Sequence, residues 1–487
     1  MTIFHIKTWF LTFFILVGTS SISFSQNSFD VTIKDSIFNT WIHHAVELAN
    51  GQLILVGVRP LQTGDAEAII YKIDPYGKIL QTKTFRYNEA SCGLTDIVQL
   101  SNNRLIVSGI TYTGTIGNLW ACIIDSSLNI IDQKSYMTGP YSLAYSKMKL
   151  DYQNNILIYG KLLDSTAMPH SLIFKLTSEL DSISGKIYNG GSTGQDLIER
   201  SDHKGYYYLI IGMGDGSGKI LTLDSDFNIQ SINELADGIG NLGTIRLLNP
   251  TQYLVCAVKN PTSETNVHKI GVQLYDTGFQ LIHYNIYGKT DTTEVPASVK
   301  SIDFTDTSSL FIGGTSNISS SFYPFSTIND WYRLNCIDTS FNLKWEKFYG
   351  GDGYYNLFGI LATHDGGCLM YGLFWDWHNI SDHLNYIRLI KVSKDGLLSD
   401  KNGEPSDKVK EVILYPNPGY DRILIESALK NLSMSLYDLM GNRVLSQSIE
   451  SSTKAIDVSG LLPGIYFYQI SSGVKVVDSG KWIKAIR

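Results

Sequence analysis

The densest gathering of side chains able to do chemistry is LFWDWHNISDHLN, Leu373 to Asn385, which holds Trp375, Trp377 and His378 in a polar, loop-like stretch. Just before it, YGGDGYYN carries Asp352, Tyr354 and Tyr355. SFYPFSTINDW adds Tyr323, Phe325 and Trp331, and FNTWIHH adds Trp41, His43 and His44. Exposed aromatic rings that form a contiguous patch mark binding, and their flat faces suit sugars or peptide segments. A ligand-binding set is therefore expected at Trp375, Trp377, His378, Tyr354, Tyr355, Trp41 and Tyr323. The competing reading is that these rings pack over the ends of their own strands, since large aromatics are mostly buried.

Other chemistry is thinner. His43, His44, His378 and His383 have no spacing that specifies a metal site, so no metal is expected. DSDFN (Asp224 to Asn228) and GDGSG (Gly214 to Gly218) hint at calcium loops but lack the acidic terminal ligand, and turn chemistry explains them better. There is no G-x-S-x-G, no H-E-x-x-H and no supported S-x-x-K, so no catalytic residue and no cofactor is expected. The formal charge of −7 and the lack of any Lys/Arg-rich run argue against nucleic acid.

The elements that must position these residues appear as a repeat. An apolar strand ending in a small residue recurs at LILVG (Gly57), LIVSG (Gly109), ILIYG (Gly160), YLIIG (Gly212), YLVCA (Ala257), LFIGG (Gly313) and CLMYG (Gly372). The intervals, by subtraction, are 52, 51, 52, 45, 56 and 59 residues. Each unit adds a preceding strand, a third strand closed by a polar turn, and a fourth strand with Lys two residues before an aromatic. Examples are Lys83 and Phe85, Lys134 and Tyr136, Lys186 and Tyr188, and Lys347 and Tyr349. Four short strands at this period, with 29 Tyr and 43 Gly and no amphipathic helix, predict an all-β, seven-bladed β-propeller over residues 26–400. The last unit lacks a fourth strand. Residues 29–38, with Val31 and Lys34 on the fourth-strand spacing, are expected to complete it and remove two sheet edges. Where WEKFYGGDG (Trp345 to Gly353) precedes THDGGCLMYG, the repeat resembles those of secreted Bacteroidetes propellers.

MTIFHIKTWFLTFFILVGTSSISFSQ reads as a secretory signal over residues 1–25: Lys7, an apolar stretch from Trp9 to Val17, and Ser23-Phe24-Ser25 before the cleavage point. Cys92, Cys122, Cys256, Cys336 and Cys368 are odd in number and irregular in spacing, so buried free thiols are expected rather than a disulfide framework. Residues 401–410 are charged and aperiodic, a linker.

Residues 411–487 change character. LYPNPGYDRILIES opens a set of period-2 runs separated by turn signals, which predicts a small immunoglobulin-like β-sandwich. Tyr415, Pro416, Asn417 and Pro418 begin it. LYDLMGNRV, with Tyr437, Asp438 and Gly441, and LLPGIYFYQI, with Gly464 and Tyr466, follow, and GVKVVDSGKWIK, with Lys481, completes the set. By the order and spacing of these motifs the segment resembles the type A C-terminal sorting domain of the Bacteroidetes type IX secretion system. The resemblance implies export, with the type IX machinery as partner. It also implies delivery outside the cell or to the outer-membrane surface, attached through the sorting pathway and not by a transmembrane helix. The expectation from the whole chain is a secreted or cell-surface binding and interaction module for a glycan or protein. The alternative is a polysaccharide hydrolase or lyase with its site at the propeller channel mouth. An enzyme would show a deep acidic pocket there, a binder a shallow aromatic strip.

Overall fold

The computed structural model describes residues 27–34, 39–100, 104–261, 267–319, 327–378, 384–398, 412–415, 419–427, 429–439, 441–451, 453–473 and 475–485. The expected signal segment 1–25, the linker 401–410, Tyr323, His383 and Pro416-Asn417-Pro418 lie outside the described residues. The chain divides into two units, residues 1–403 and 404–487.

The first unit is all-β, and its only described helix is one turn of 3-10 helix at Ala236–Gly238. Its strands form seven antiparallel sheets among the described residues, six of them meanders of neighbours in sequence and the seventh completed by the N-terminal strand. Their innermost strands are Trp41–Glu47, Cys92–Gln99, Ser142–Leu150, Ser192–Glu199, Thr244–Asn249, the pair Glu294–Pro296 and Ile302–Asp303, and Tyr354–Ala362. Seven apolar clusters follow, each shared by two consecutive sheets. The middle strands are therefore covered on both faces, which is why Leu53–Gly57 or Leu105–Val107 reads as an unbroken apolar run instead of alternating. One cluster joins Leu369, Tyr371, Ile387 and Leu389 of the seventh sheet to Ile42, Leu53 and Ile69 of the first, so the arrangement is cyclic and propeller-like.

Phe29–Ile33 lies antiparallel to Tyr386–Val392 as the fourth strand of the seventh sheet. Of the pair on the fourth-strand spacing, Val31 meets the first sheet and Lys34 stays on its own sheet. Phe29 and Val31 crowd Gly77, whereas Lys34 lies 4.8 Å over the Tyr386 ring. The strand ends near Ile33, so Lys34 is past the pleat that would have aimed it at the turn.

The recurring sequence marks at the outer edge have a common cause. In the turn from third to fourth strand, a side-chain oxygen caps two backbone amides. Asp125 Oδ1 accepts from Ser127 N and Asn129 N, and Asp224 Oδ1 from Asp226 N at 3.0 Å and Asn228 N at 2.7 Å. The next position is left-handed, with Leu128 at φ 62°, Leu180 at 64°, Phe227 at 63° and Phe341 at 64°. Such backbone is unfavourable for an apolar residue. It is tolerated because the side chain plugs the core and its carbonyl is clasped by the preceding sheet. Tyr188 Oη donates to Phe227 O at 2.7 Å, Tyr287 Oη to Phe341 O at 2.9 Å and Tyr349 Oη to Gly396 O at 2.8 Å. The lysine of the same motif reaches the same turn, as with Lys134 to Asp181 at 2.8 Å.

The second unit has two sheets, one with strands Val412–Tyr415, Arg422–Ser427 and Thr453–Asp457, the other with Leu432–Tyr437, Arg443–Ile449, Gly464–Ser472 and Lys475–Lys484. Ile423, Ile425, Met434, Leu436, Ile470 and Trp482 form its core.

Candidate functional site

The channel is shaped by a repeated irregularity. Six innermost strands carry a register shift. In five it is a β-bulge in the first half of the strand, between Ile42 and His44, Leu94 and Asp96, Leu143 and Tyr145, Gly194 and Asp196, and Leu357 and Gly359. In Thr244–Asn249 it falls at the far end, between Leu247 and Asn249. A bulge inserts an unpaired residue and re-aims its side chain. The recurrent glycine of the second strand is its companion: a Cβ on Gly57, Gly109, Gly160 or Gly372 would lie closer than 3.0 Å to the carbonyl oxygen of Trp41, Gly93, Tyr145 or Asn356. The repeat visible in sequence thus marks where the inner strand bends toward the channel.

The bulged residues His43, Thr95 and Gln195 line a cavity of about 830 Å³ at the channel mouth, together with Trp41, Tyr112, Tyr145, Lys147 and Lys161. This is the size of a small-molecule site. The sixth sheet closes it from the far side. Its inner strand stops at Pro296, which has no N–H to continue the ladder, and resumes at Ile302. Between them Val299 N donates to Phe358 O at 2.7 Å, at the bulge of the seventh sheet. Lys147 spans the channel from the third sheet, donating to Val299 O at 2.8 Å and Gln195 O at 2.9 Å. Burial lowers the Lys147 ammonium, with Asp196 and Asp96 pulling back. Burial likewise pushes His43 down to about 4, against a weaker pull from Asp96, so its imidazole is neutral at pH 7. The ring stacks on Phe358, centroids 6.1 Å apart.

Below the cavity three buried aspartates join consecutive sheets. Asp96 Oδ2 accepts from Met148 N at 2.5 Å, Asp196 Oδ2 from Ile245 N at 2.8 Å and Asp303 Oδ2 from Ala362 N at 2.9 Å. Each faces a basic side chain: His44 lies on Asp96, Lys149 at 2.7 Å on Asp196, and Lys300 at 2.7 Å with Arg246 at 3.0 Å on Asp303. Burial would raise Asp196 and Asp303, but these lysines and Arg246 outweigh it and hold both carboxyls below the ordinary range. These three acids are engaged by backbone amides and basic side chains of the scaffold.

Of the residues expected from sequence to bind ligand, Trp41 lines the cavity and is 37% exposed. Trp375 and Trp377 are half-buried, and Trp377 stacks on the exposed His378 with ring centroids 3.7 Å apart. Tyr354 and Tyr355 are corrections: each is 1% exposed. The glycine-rich stretch before them looks like loop, but the strand begins at Tyr354 and its two faces are both covered. Tyr355 packs against Tyr332 and Phe374 and donates to Asp352 Oδ1 at 2.6 Å. Among the described residues no group of three or more His, Cys, Asp or Glu could hold a metal ion, and His43 and His44 are taken by Phe358 and Asp96. All five cysteines are buried and free. Sequence reasoning missed Tyr112, Lys147, Lys161 and Gln195, whose signal was only their place beside the recurrent glycine.

In the second unit Tyr415 ends its strand, and Tyr437 ends another. Asp438 Oδ1 accepts from Asn442 N at 2.9 Å across a turn in which Gly441 has φ 81°. Gly464 opens the strand that carries Tyr466, whose Oη donates to Leu462 O at 2.8 Å, and Lys481 pairs with Phe467. No helix among the described residues is long and apolar enough to cross a membrane.

Fold and site together define an all-β, propeller-like body with a channel-mouth cavity, followed by a small two-sheet unit. That unit identifies the traffic: residues 413–485 match the family described as "Secretion system C-terminal sorting domain". Residues 413–485 are thus a sorting tail, which implies secretion or surface attachment. No match was found among curated proteins. Among solved structures the chain is similar to a fungal alcohol oxidase in complex with copper, at 12% identity and TM-score 0.40, covering 94% of this chain and 99% of that one. It is also similar to the WD40 domain of Toxoplasma gondii coronin, at 6% identity and TM-score 0.44, covering 77% and 89%. Likenesses this remote add nothing to the fold already read from the strands.

Proposed function

We propose that the chain is an exported seven-bladed propeller whose cavity binds a glycan or protein segment, delivered by an immunoglobulin-like sorting domain. In this reading residues 1–25 are a signal peptide and 401–410 a linker. The observation that carries it is the 830 Å³ cavity walled by bulged inner strands and crossed by Lys147. A two-carboxylate hydrolase would need acids in that cavity. Among the described residues that line it there is no Asp or Glu, which favours binding over hydrolysis. Trp41 is retained as a ligand contact, and Trp375, Trp377 and His378 form a second, exposed aromatic sector. Glycan and protein arrays probed with the full chain separate the two. Binding lost in Trp41→Ala and kept in Trp375→Ala/Trp377→Ala supports the cavity. The reverse moves the site to the aromatic sector. Cleavage of a bound polysaccharide replaces the reading with the hydrolase.

A further inference from the structure

The cavity's charge is unbalanced. Among the described lining residues the basic side chains are Lys147 and Lys161, with no carboxylate, in a chain whose net charge is −7. The aspartates beneath have nearer partners, Asp96 in His44, Asp196 in Lys149 and Asp303 in Lys300 and Arg246; Asp196 and Asp96 also act on Lys147 from below, and none of them pairs with Lys161. Lys147 is bonded to two neutral carbonyls. An ammonium has three donors, so one remains. Lys161 sits opposite Tyr145 in the third sheet and has no hydrogen-bond or ion-pair partner among the described residues. A cationic hollow with low-dielectric walls focuses its field on an incoming anion. At its mouth Trp41 and Tyr112 leave 37% and 39% of their surfaces exposed, flat faces at the entrance to the charged interior.

We infer that the cavity takes an acidic saccharide, its carboxylate met by Lys161 and Lys147 and a sugar face resting on Trp41 or Tyr112. This rests on the binding reading above and narrows it to one ligand class. Pairing of a carboxylate with an ammonium is a charge-assisted contact, stronger than a neutral hydrogen bond and weakened by salt.

The test is calorimetric titration of the full chain with a hexuronic acid tetrasaccharide and with the neutral hexose tetrasaccharide of the same linkage. The expected result is binding of the acidic sugar alone, weakened about tenfold or more by Lys161→Gln while the melting temperature stays put. Raising salt weakens binding in the native chain more than in the variant. Lys161 is chosen because it supports no partner whose loss would disturb the fold; Lys147→Gln, which also breaks two backbone contacts, is read only beside its melting curve. Equal binding of both sugars, or an acidic sugar indifferent to Lys161→Gln, overturns the inference and leaves the binding reading standing. Binding of array proteins without either sugar does the same. No ligand of any kind on the arrays brings down both.

Discussion

The outer edge of the ring and its inner channel join the same sheets with different chemistry. At the edge, a tyrosine hydroxyl of one sheet donates to the turn carbonyl of the next, as with Tyr188 and Phe227, Tyr287 and Phe341, and Tyr349 and Gly396. The device is neutral, local and repeated. In the channel, a buried carboxylate accepts a backbone amide of the next sheet and also faces a basic side chain, at Asp96, Asp196 and Asp303. Those three sit in the second, fourth and sixth sheets, so the channel strap recurs at every second sheet. A neutral hydrogen bond contributes about 1 kcal/mol wherever it is placed. A buried ion pair adds little net stability, yet removing one partner strands the other. The edge therefore spreads stability over many small, independent contacts, while the channel concentrates risk in a few linked ones. That division leaves the channel mouth free to carry side chains, such as Lys161, that have no structural duty.

The largest expected effect tests this directly. Asp196→Ala removes the acceptor of Lys149 Nζ, of Tyr159 Oη at 2.6 Å and of Ile245 N, all inside the protein. Loss of about 3–5 kcal/mol is expected, read as a lower urea midpoint. A loss no larger than that of an edge tyrosine would erase the distinction between the two regions.

Asp330 sharpens the comparison from the opposite side. It is fully buried like Asp196, but neither carboxyl oxygen has a hydrogen-bond partner among the described residues, and burial pushes its pKa up to about 8. The native carboxyl thus keeps its proton to about pH 8, whereas the unfolded chain releases it near the ordinary carboxyl value of 3.8. Its contribution to stability is full below that lower value and is lost as pH rises toward 8. Asp330→Asn is expected to match the native chain near pH 4 and to exceed it above pH 8 by roughly 2–4 kcal/mol. Parallel stability curves across that range would show that the channel cations are not what separates the two aspartates.

Legibility in the sequence follows the same division. The edge clips join neighbouring sheets, but the same clip recurs from unit to unit and each half of it has marks within a few residues of each other: Lys134 and Tyr136, or Asp224 and Asn228. The all-β repeat could be read from them. The sorting motifs were legible because Asp438, Gly441 and the run to Lys481 serve local turns and strands. The channel is different. Asp96, Asp196 and Asp303 sit two repeats apart in dissimilar contexts, LTDIV, GQDLI and SIDFT, and no single blade contains a strap. Lys147 and Lys161 look like ordinary strand lysines on a wetted face, since nothing local tells an inner strand from an outer one. Tyr354 and Tyr355 misled for a related reason. Glycines around them suggested exposure, but here the glycines make room: a Cβ on Gly350 would strike the Tyr355 ring.

The smallest expected effect is the most informative about independence. Tyr188→Phe keeps the buried ring and removes only the donor to Phe227 O. A cost of about 0.5–1.5 kcal/mol is expected, because an unmet carbonyl remains at the turn. Tyr349→Phe does the same to Gly396 O, between the sixth and seventh sheets, and shares no partner with the first. Contacts without shared partners add. The double variant should therefore lose the sum of the two within about 0.5 kcal/mol, measured by urea unfolding of all three chains. A double variant that loses much more than the sum would mean that the edge clips act as a linked hoop around the ring, as the channel carboxylates do with their cations, and the contrast between edge and channel would reduce to one of charge alone.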